Sequence, residues 1–375
     1  DRVDFVVGAF GFHQRIDTQG TEAHGSASTR WNLSPTNALY NSNVLDGLTA
    51  RNTQYLKNTS VALFGQASWK LTPEITLQPG IRVNYDKKDG YYQRRVFTGT
   101  GTEILIGGTT NATKTAQLAI FTPQTIAPKF SDWNFSYDFT ASYKAAPGVL
   151  LYATYAKTFK SGGINQNGVP VDTANNPILA AATVKPESVQ HYEAGLKTEF
   201  WDRRAILNVS VFRTDIKNYQ ANVNNGQFGV LRGYLANAGA VRSQGAEWDF
   251  SVRPSERFNA YLNGAYTDAT YRRFVDAPCP PELSGGTSSP ANCNISGQRL
   301  PGVSKWSFSF GAEGNLPAKL LGKEGEVYLG YDGNIRSNFS SNPTLSAYTW
   351  VDGYSLSNFR VGFRTEDGFD IYGWV

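Results

Sequence analysis

Few residues in this chain have the types and spacings that chemistry needs. The three histidines, His13, His24 and His191, show no metal-ligand spacing; His13 and His24 flank one loop and could meet only through the fold. No nucleophile–base arrangement accompanies them. The sequence therefore predicts no catalytic constellation, no metal and no cofactor, and the chain is not read as an enzyme. "GTGTEILIGGTTNAT" (99–113) is rich in glycine, but no strand–glycine–helix context follows that would cradle a phosphate. The two cysteines, Cys279 and Cys293, share one loop, "PCPPELSGGTSSPANCN", with thirteen residues between them. No histidine or second cysteine pair stands nearby, so a disulfide suits them better than zinc; two free thiols are the plainer alternative. A disulfide predicts an oxidising compartment such as the periplasm or the cell surface.

The elements that would position these residues are strands. In "WNFSYDFTASY" (133–143) the odd positions are Trp133, Phe135, Tyr137, Phe139, Ala141 and Tyr143, and the even ones are all polar. Side chains on a strand alternate between faces, so this segment has one apolar and one polar face. The same pattern recurs in about thirteen segments, near 3–13, 59–71, 75–88, 133–143, 149–159, 190–201, 205–219, 241–253, 257–272, 304–314, 326–336, 355–363 and 369–375. No segment has a convincing helical period, and "LPAKLLGKEG" (316–325) reads as a longer turn. Segments of about ten residues suit a membrane-spanning strand better than a globular one. Aromatic residues make up 13% of the chain, and there are 37 glycines.

Hydropathy alone reads as soluble: 40% of residues are hydrophobic, the mean hydropathy is −0.38, and no apolar run is long enough for a transmembrane helix. A membrane barrel has a weaker signal per segment and stays open. The connections favour it. "TPE" (72–74), "AAPG" (145–148), "WDRR" (201–204), "PSER" (254–257) and "TEDG" (365–368) are short. They alternate with long segments at 14–58, 89–132, 160–189, 220–240, 273–303 and 337–354. In an up-and-down sheet that places tight turns at one end and long loops at the other, as in outer-membrane barrels. Trp69, Tyr85, Trp133, Tyr143 and Trp306 fall towards strand ends, as in an interfacial girdle. The apolar faces are therefore expected to meet lipid and the polar faces a lumen. On that reading Glu193, Lys197, Glu247, Asp249 and Glu313 share the lumen face, as an internal ion-pair network before a ligand contact. A net charge of +4 without a basic block predicts no nucleic-acid partner.

At "VKPESVQHYEAGLKTEFWDRRAILNVSVFRTDIKNYQ" (184–220) the sequence resembles the barrel of TonB-dependent outer-membrane receptors. Pro186, Glu187, Tyr192, Glu193, Gly195, Lys197, Phe212 and Asp215 carry the match. "VLLYATYAKTFKSGGIN" (149–165), "SQGAEWDFSVRPSERFNAYLNGAYTDATY" (243–271) and "GQRLPGVSKWSFSFGAE" (297–313) are similar to its preceding and following strands, in the right order. The resemblance implies an all-β, transmembrane, antiparallel up-and-down barrel of about twenty-two strands around a plug. This chain would be a partial barrel domain over 1–375 with no plug, supplying roughly strands nine to twenty-one. Methionine is absent, no signal peptide precedes Asp1, and "DIYGWV" stops inside a strand-like pattern, so both ends read as cut.

The resemblance further implies a monomeric receptor in the outer membrane of a Gram-negative bacterium, in contact with lipid. It would be energised by the inner-membrane TonB complex and take up a scarce nutrient, a ferric siderophore first. A passive porin-like channel and a surface glycan-binding β-protein are the alternatives. Lys160 and Ser161 of "FKSGGIN" (159–165), with Arg94, Arg95, Arg232, Tyr234, Tyr40 and Tyr91, are the candidate ligand contacts from the outer loops. The plainer reading of "FKSGGIN" is a tight Gly-Gly turn leaving the barrel.

Overall fold

The computed structural model describes residues 2–224, 233–283 and 292–375. Thirteen strands follow one another in chain order across one antiparallel sheet, each hydrogen-bonded to the next. They are β1 (Val3–Ala23), β2 (Thr49–Lys70), β3 (Ile75–Phe97), β4 (Lys129–Ala146), β5 (Val149–Lys160), β6 (Glu187–Phe200) and β7 (Ala205–Asn224). Then come β8 (Gly233–Ser255), β9 (Phe258–Phe274), β10 (Trp306–Leu320), β11 (Lys323–Arg336), β12 (Tyr354–Arg364) and β13 (Asp370–Trp374). β1 and β13 are its two edges, so the sheet is an open segment of a barrel wall. No described helix is long and apolar enough to cross a membrane, which says nothing of strands.

The register keeps the two faces separate across the sheet. Val83 lies opposite Phe135 and Tyr85 opposite Trp133, while Asn84 lies opposite Asn134 on the other face. Further along, Trp248 faces Gly264 and Gly264 faces Phe308, while Asp249 faces Asn263 and Asn263 faces Ser309. A slip of one residue would exchange the faces, so the alternation fixes the pairing. The aromatic rings of the apolar face meet in rows. Tyr85 and Trp133 are 5.0 Å apart, Tyr155 and Tyr192 5.0 Å, and Tyr266 and Trp306 4.7 Å. Trp69, Tyr143 and Phe200, near the short turns, are exposed on the same face. Two aromatic rows bound an apolar band, the form of a membrane-spanning wall.

Three details differ from the sequence reading. The segment 316–325 is not a long turn: Leu316–Leu320 completes β10, and only Leu321 (φ 51°) and Gly322 (φ 83°) turn the chain. Two consecutive positive φ values match the twist of the flanking strands. Second, β1, β2 and β3 extend well into 14–58 and 89–132, with Ala23 opposite Thr49 and Thr49 opposite Phe97. Beyond the outer aromatic row the outward face has left the lipid and docked loops cover much of the inward face of β2 and β3, so the alternation that marks the lower strands fades. Third, two short helices interrupt the loops, α1 (Ser28–Asn32) and α2 (Ala112–Ile120). Asn111 caps α2 by accepting from the Lys114 N–H at 2.8 Å. Nine residues give too few turns for a helical period to show.

Candidate functional site

The short turns gather at one end and the long loops at the other, where the loops fold back over the polar face. Side chains of even number on β2 and β3 share that face, from Arg82 and Asn84 up to Tyr92, Arg94 and Val96. Ala50 and Val96 are buried with Leu45, Leu48, Ile104, Leu118, Ile120 and Phe121, so loop 24–48 and α2 dock together inside the β2–β3 extension. Tyr92 packs with Ile126, Val169 and Ala182, bringing in loop 161–186. Val241, Tyr271 and Phe274 pack with Ala277 and Ile295, bringing in the loop after β9. Each docked loop buries a few apolar side chains, enough to hold it against the wall.

Polar bonds fasten these contacts. Gln124 Nε2 donates to the Val169 carbonyl at 2.7 Å, and the Val169 N–H returns to Gln124 Oε1 at 3.0 Å. Asn165 Nδ2 donates to the Ala181 and Leu235 carbonyls at 2.7 and 2.8 Å. Glu282 accepts from Ser346 Oγ at 2.7 Å and the Ala347 N–H at 2.6 Å, tying the loop after β9 to the loop after β11. Those two donors hold the Glu282 carboxyl below its ordinary range. In the same loop the Cys279 and Cys293 sulfurs lie at bonding distance, 2.12 Å. Mass spectrometry of surface-shaved peptides is expected to recover 279 and 293 in one cross-linked species that reductant splits. Closing a loop of this length contributes about 3 kcal/mol in the chain-entropy account.

The candidate contacts read from the sequence fare unevenly. Lys160 Nζ bonds Glu187 Oε1 at 3.1 Å, and the nearly buried Glu187 also accepts from the Gln220 N–H at 2.7 Å. Ser161 lies under Lys88, whose Nζ donates to Ser161 Oγ at 3.2 Å, and Gln220 Nε2 donates to the Ser161 carbonyl at 2.9 Å. A Cβ on Gly162 would stand 2.4 Å from the Phe130 ring, so glycine is required by close approach. The segment is fastened into the wall, and Gly163–Ile164 runs on as a short strand paired with 183–184 where a tight Gly-Gly turn was the plainer reading. Arg94 is 6% exposed, donates to Asn52 Oδ1 at 3.0 Å and stacks near Tyr92 and Phe121. Arg95 grips Glu103 through two bonds of 2.8 and 2.7 Å on the outward face, and Tyr91 stacks on Tyr55 on that same face, away from the mouth. Tyr234 packs partly buried beside the cluster around Val241, and Tyr40 is half-buried in loop 24–48. Arg232 lies outside the described residues.

A substitution separates structural from ligand-binding roles here. Glu187→Ala removes the acceptor of a buried N–H and is expected to destabilise the outer end of β6 by about 1–3 kcal/mol. Lys160→Ala leaves Glu187 its backbone bond and is expected to cost under about 1 kcal/mol, because the lysine is half exposed. Protease sensitivity at 161–186 measures both.

What the sequence reading missed is the exposed aromatic set that the docked loops present. Trp31 is 85% exposed on α1, whose buried Thr29 accepts from the Leu45 N–H at 3.2 Å, so the indole turns away from the docked cluster. Tyr348 is 86% exposed in the loop that Glu282 holds. Neither stands in a pattern; only the docking of its loop singles it out. On the strand part of the polar face, Glu313 bonds Arg364 at 3.0 Å and lies 3.6 Å from Arg360, which reaches Asp332 at 3.1 Å. Glu193 accepts from Tyr152 and lies 3.3 Å from His191. Lys197 sits over the Tyr152 ring at 5.6 Å. Among the described residues Glu247 and Asp249 make no ion pair, so the expected network covers only part of the wall.

The chain matches the family described as TonB dependent receptor-like, beta-barrel, over residues 3–375. The metal-pseudopaline receptor CntO of Pseudomonas aeruginosa is 31% identical over 237 residues, covering 61% of this chain and 28% of that protein. The ferric-pyoverdine M114 receptor PbuA of Pseudomonas sp. strain M114 is 24% identical over 308 residues, covering 81% of this chain and 30% of that protein. This chain thus spans less than a third of these relatives. The crystal structure of the ferric yersiniabactin uptake receptor FyuA from Yersinia pestis superposes on all of it with a TM-score of 0.69, at 16% identity, using 46% of that chain. The siderophore receptor PiuA from Acinetobacter baumannii gives a TM-score of 0.57 at 17% identity, over 99% of this chain and 48% of that one. At these identities the structural likeness concerns the fold.

Proposed function

This chain belongs to the TonB-dependent receptor family, and from that premise we propose that the full-length protein is an active-transport receptor for a chelated metal, a ferric siderophore first. It works as a monomer in the outer membrane of a Gram-negative bacterium, binds its ligand at the outer mouth, and draws energy from the TonB complex. It moves its ligand without converting it. The observation that supports this reading is the mouth itself, where loops 24–48, 98–128 and 161–186 and the described parts of the loop after β9, 275–283 and 292–305, pack inward over the polar face. A passive pore has no need of so much ordered cover, whereas binding residues sit on loops held by a rigid scaffold. The printed names of the relatives, receptors for metal–pseudopaline and ferric pyoverdine, point to chelated metal as the cargo.

The test is uptake of radioactive iron presented on a panel of siderophores, in cells carrying the full-length receptor. Uptake of at least one is expected to stop when the proton gradient is collapsed or the TonB protein is removed. It is also expected to fall about tenfold when Trp31 and Tyr348 are both changed to alanine, since each anchoring aromatic contributes on the order of 1 kcal/mol or more to binding. Uptake that persists without energy, or the absence of uptake for every metal chelate, would contradict the proposal.

A further inference from the structure

Residues 161–186 are tied to the wall at two well-separated places. At their root, Gln220 Nε2 on β7 donates to the Ser161 and Lys185 carbonyls at 2.9 and 3.1 Å. Asn237 on β8 accepts from the Lys185 N–H at 2.8 Å and returns its Nδ2 to the Lys185 carbonyl at 2.9 Å. Asn165, 7% exposed, donates to the Leu235 carbonyl on β8 and accepts from the Leu235 N–H at 2.9 Å. The stretch just beyond reaches other strands. Gln166 Nε2 donates to the Tyr55 carbonyl on β2 at 3.2 Å. Val169 exchanges its two backbone bonds with Gln124, which is 6% exposed on a short strand, Gln124–Ile126, paired with β3. In the sheet, β4, β5 and β6 lie between β3 and β7. The segment has order of its own, since Gly163–Ile164 pairs with Thr183–Val184 and Val171 bridges Pro177.

We propose that this segment is a fixed crossbeam over the inner face, which sets the largest solute that can pass the outer mouth, with Gln124 and Asn165 as its positioning residues. The inference rests on the receptor reading of the mouth and deepens it: the site selects compact solutes by size, whichever chelate is carried. A loop tied at one side can swing as a flap, whereas a segment tied at both sides is a chord and holds its place. Both ties here are made by amide side chains buried to nine-tenths or more, each matched to a backbone donor and acceptor. Moving either end leaves buried polar groups unpaired, which is costlier than the bonds alone are worth. At the β3 side Tyr92, Ile126, Val169 and Ala182 add apolar contact to the same tie. The beam is therefore part of the scaffold, and solutes pass beside it.

The experiment uses the full-length receptor on intact cells, carrying Thr158→Cys as a reporter. Thr158 is exposed on the inward face of β5, two residues before Lys160, where the crossbeam begins. Cys279 and Cys293 are joined and do not compete for the reagents. The reporter is treated with N-ethylmaleimide or with a maleimide on a long polyethylene glycol chain, and its modification is followed by mobility on gels. With the beam intact, the long reagent is expected to react at least about tenfold more slowly than the short one. Q124A/Q166A frees the β2–β3 end and is expected to raise the long reagent's rate about tenfold, leaving the short reagent's rate within about twofold. Heat-modifiable mobility shows that the barrel has assembled. Should that variant not assemble, Gln166→Ala alone is read, with about a threefold rise for the long reagent expected. An unchanged rate for the long reagent would overturn the proposal. So would equal acceleration of both reagents, since that is general loosening and not a wider aperture. No chelate enters the readout, so a wrong cargo assignment leaves this result intact.

Discussion

Phe310→Arg in the full-length receptor is expected to cost the assembled barrel about 2–4 kcal/mol. Phe310 lies between Leu262 and Gly333 on neighbouring strands, 5.8 Å from the Tyr331 ring, between the Trp306 row and the short turns. A guanidinium there would stand in hydrocarbon with no partner. Ser309→Arg, one residue away, is expected to be nearly neutral, because Ser309 lies between Asn263 and Asn334 on the polar face. Urea titration of heat-modifiable mobility in lipid vesicles measures both. Equal costs for the two would mean that the faces are not sorted as the register has them.

Phe274→Ala is expected to release the outer loop after β9 by removing about 3–5 kcal/mol of local packing. Phe274 is 3% exposed, sits 5.3 Å from the Tyr271 ring and packs with Ala277 and Ile295. Its N–H is held by Ser296 Oγ at 2.9 Å, so backbone and side chain fix the loop at one point. The wall below should assemble unchanged, since the pairing around Trp248 and Gly264 lies clear of the truncated ring. Limited proteolysis should then cut within 275–305 at a rate raised by two orders of magnitude or more, about 1.4 kcal/mol for each tenfold. A protection pattern identical to the unaltered receptor would show that the cluster does not hold the loop.

The wall was legible in the sequence because lipid and lumen impose opposite demands on successive residues. "WNFSYDFTASY" and "KWSFSFGAE" state their faces in their own alternation, and β4 and β10 lie where those segments predict. The loop ends were not legible, because beyond the lipid no opposite demand sorts successive residues. "HQRIDTQGTEA" pairs along its whole length with 49–59, yet nothing in its polarity distinguishes it from a loop. The candidate contacts were legible only as types. Lys160, Arg94 and Arg95 were singled out as bases beside long loops, but Glu187, Asn52 and Glu103 engage them. Those partners come from β6, β2 and a loop residue, at positions only the pairing brings close. Trp31 and Tyr348 could not be singled out, since their exposure depends on which side of a docked loop they occupy.

Spin-label accessibility in the reconstituted full-length receptor tests the central claim most directly. Single labels are placed at 138, 139, 247, 248, 308 and 309. Labels at Phe139, Trp248 and Phe308 are expected to be relaxed by lipid-soluble oxygen, and those at Asp138, Glu247 and Ser309 by a water-soluble nickel chelate. The reverse order, or labels that show no alternation, would contradict a wall whose apolar face meets lipid and whose polar face lines the lumen.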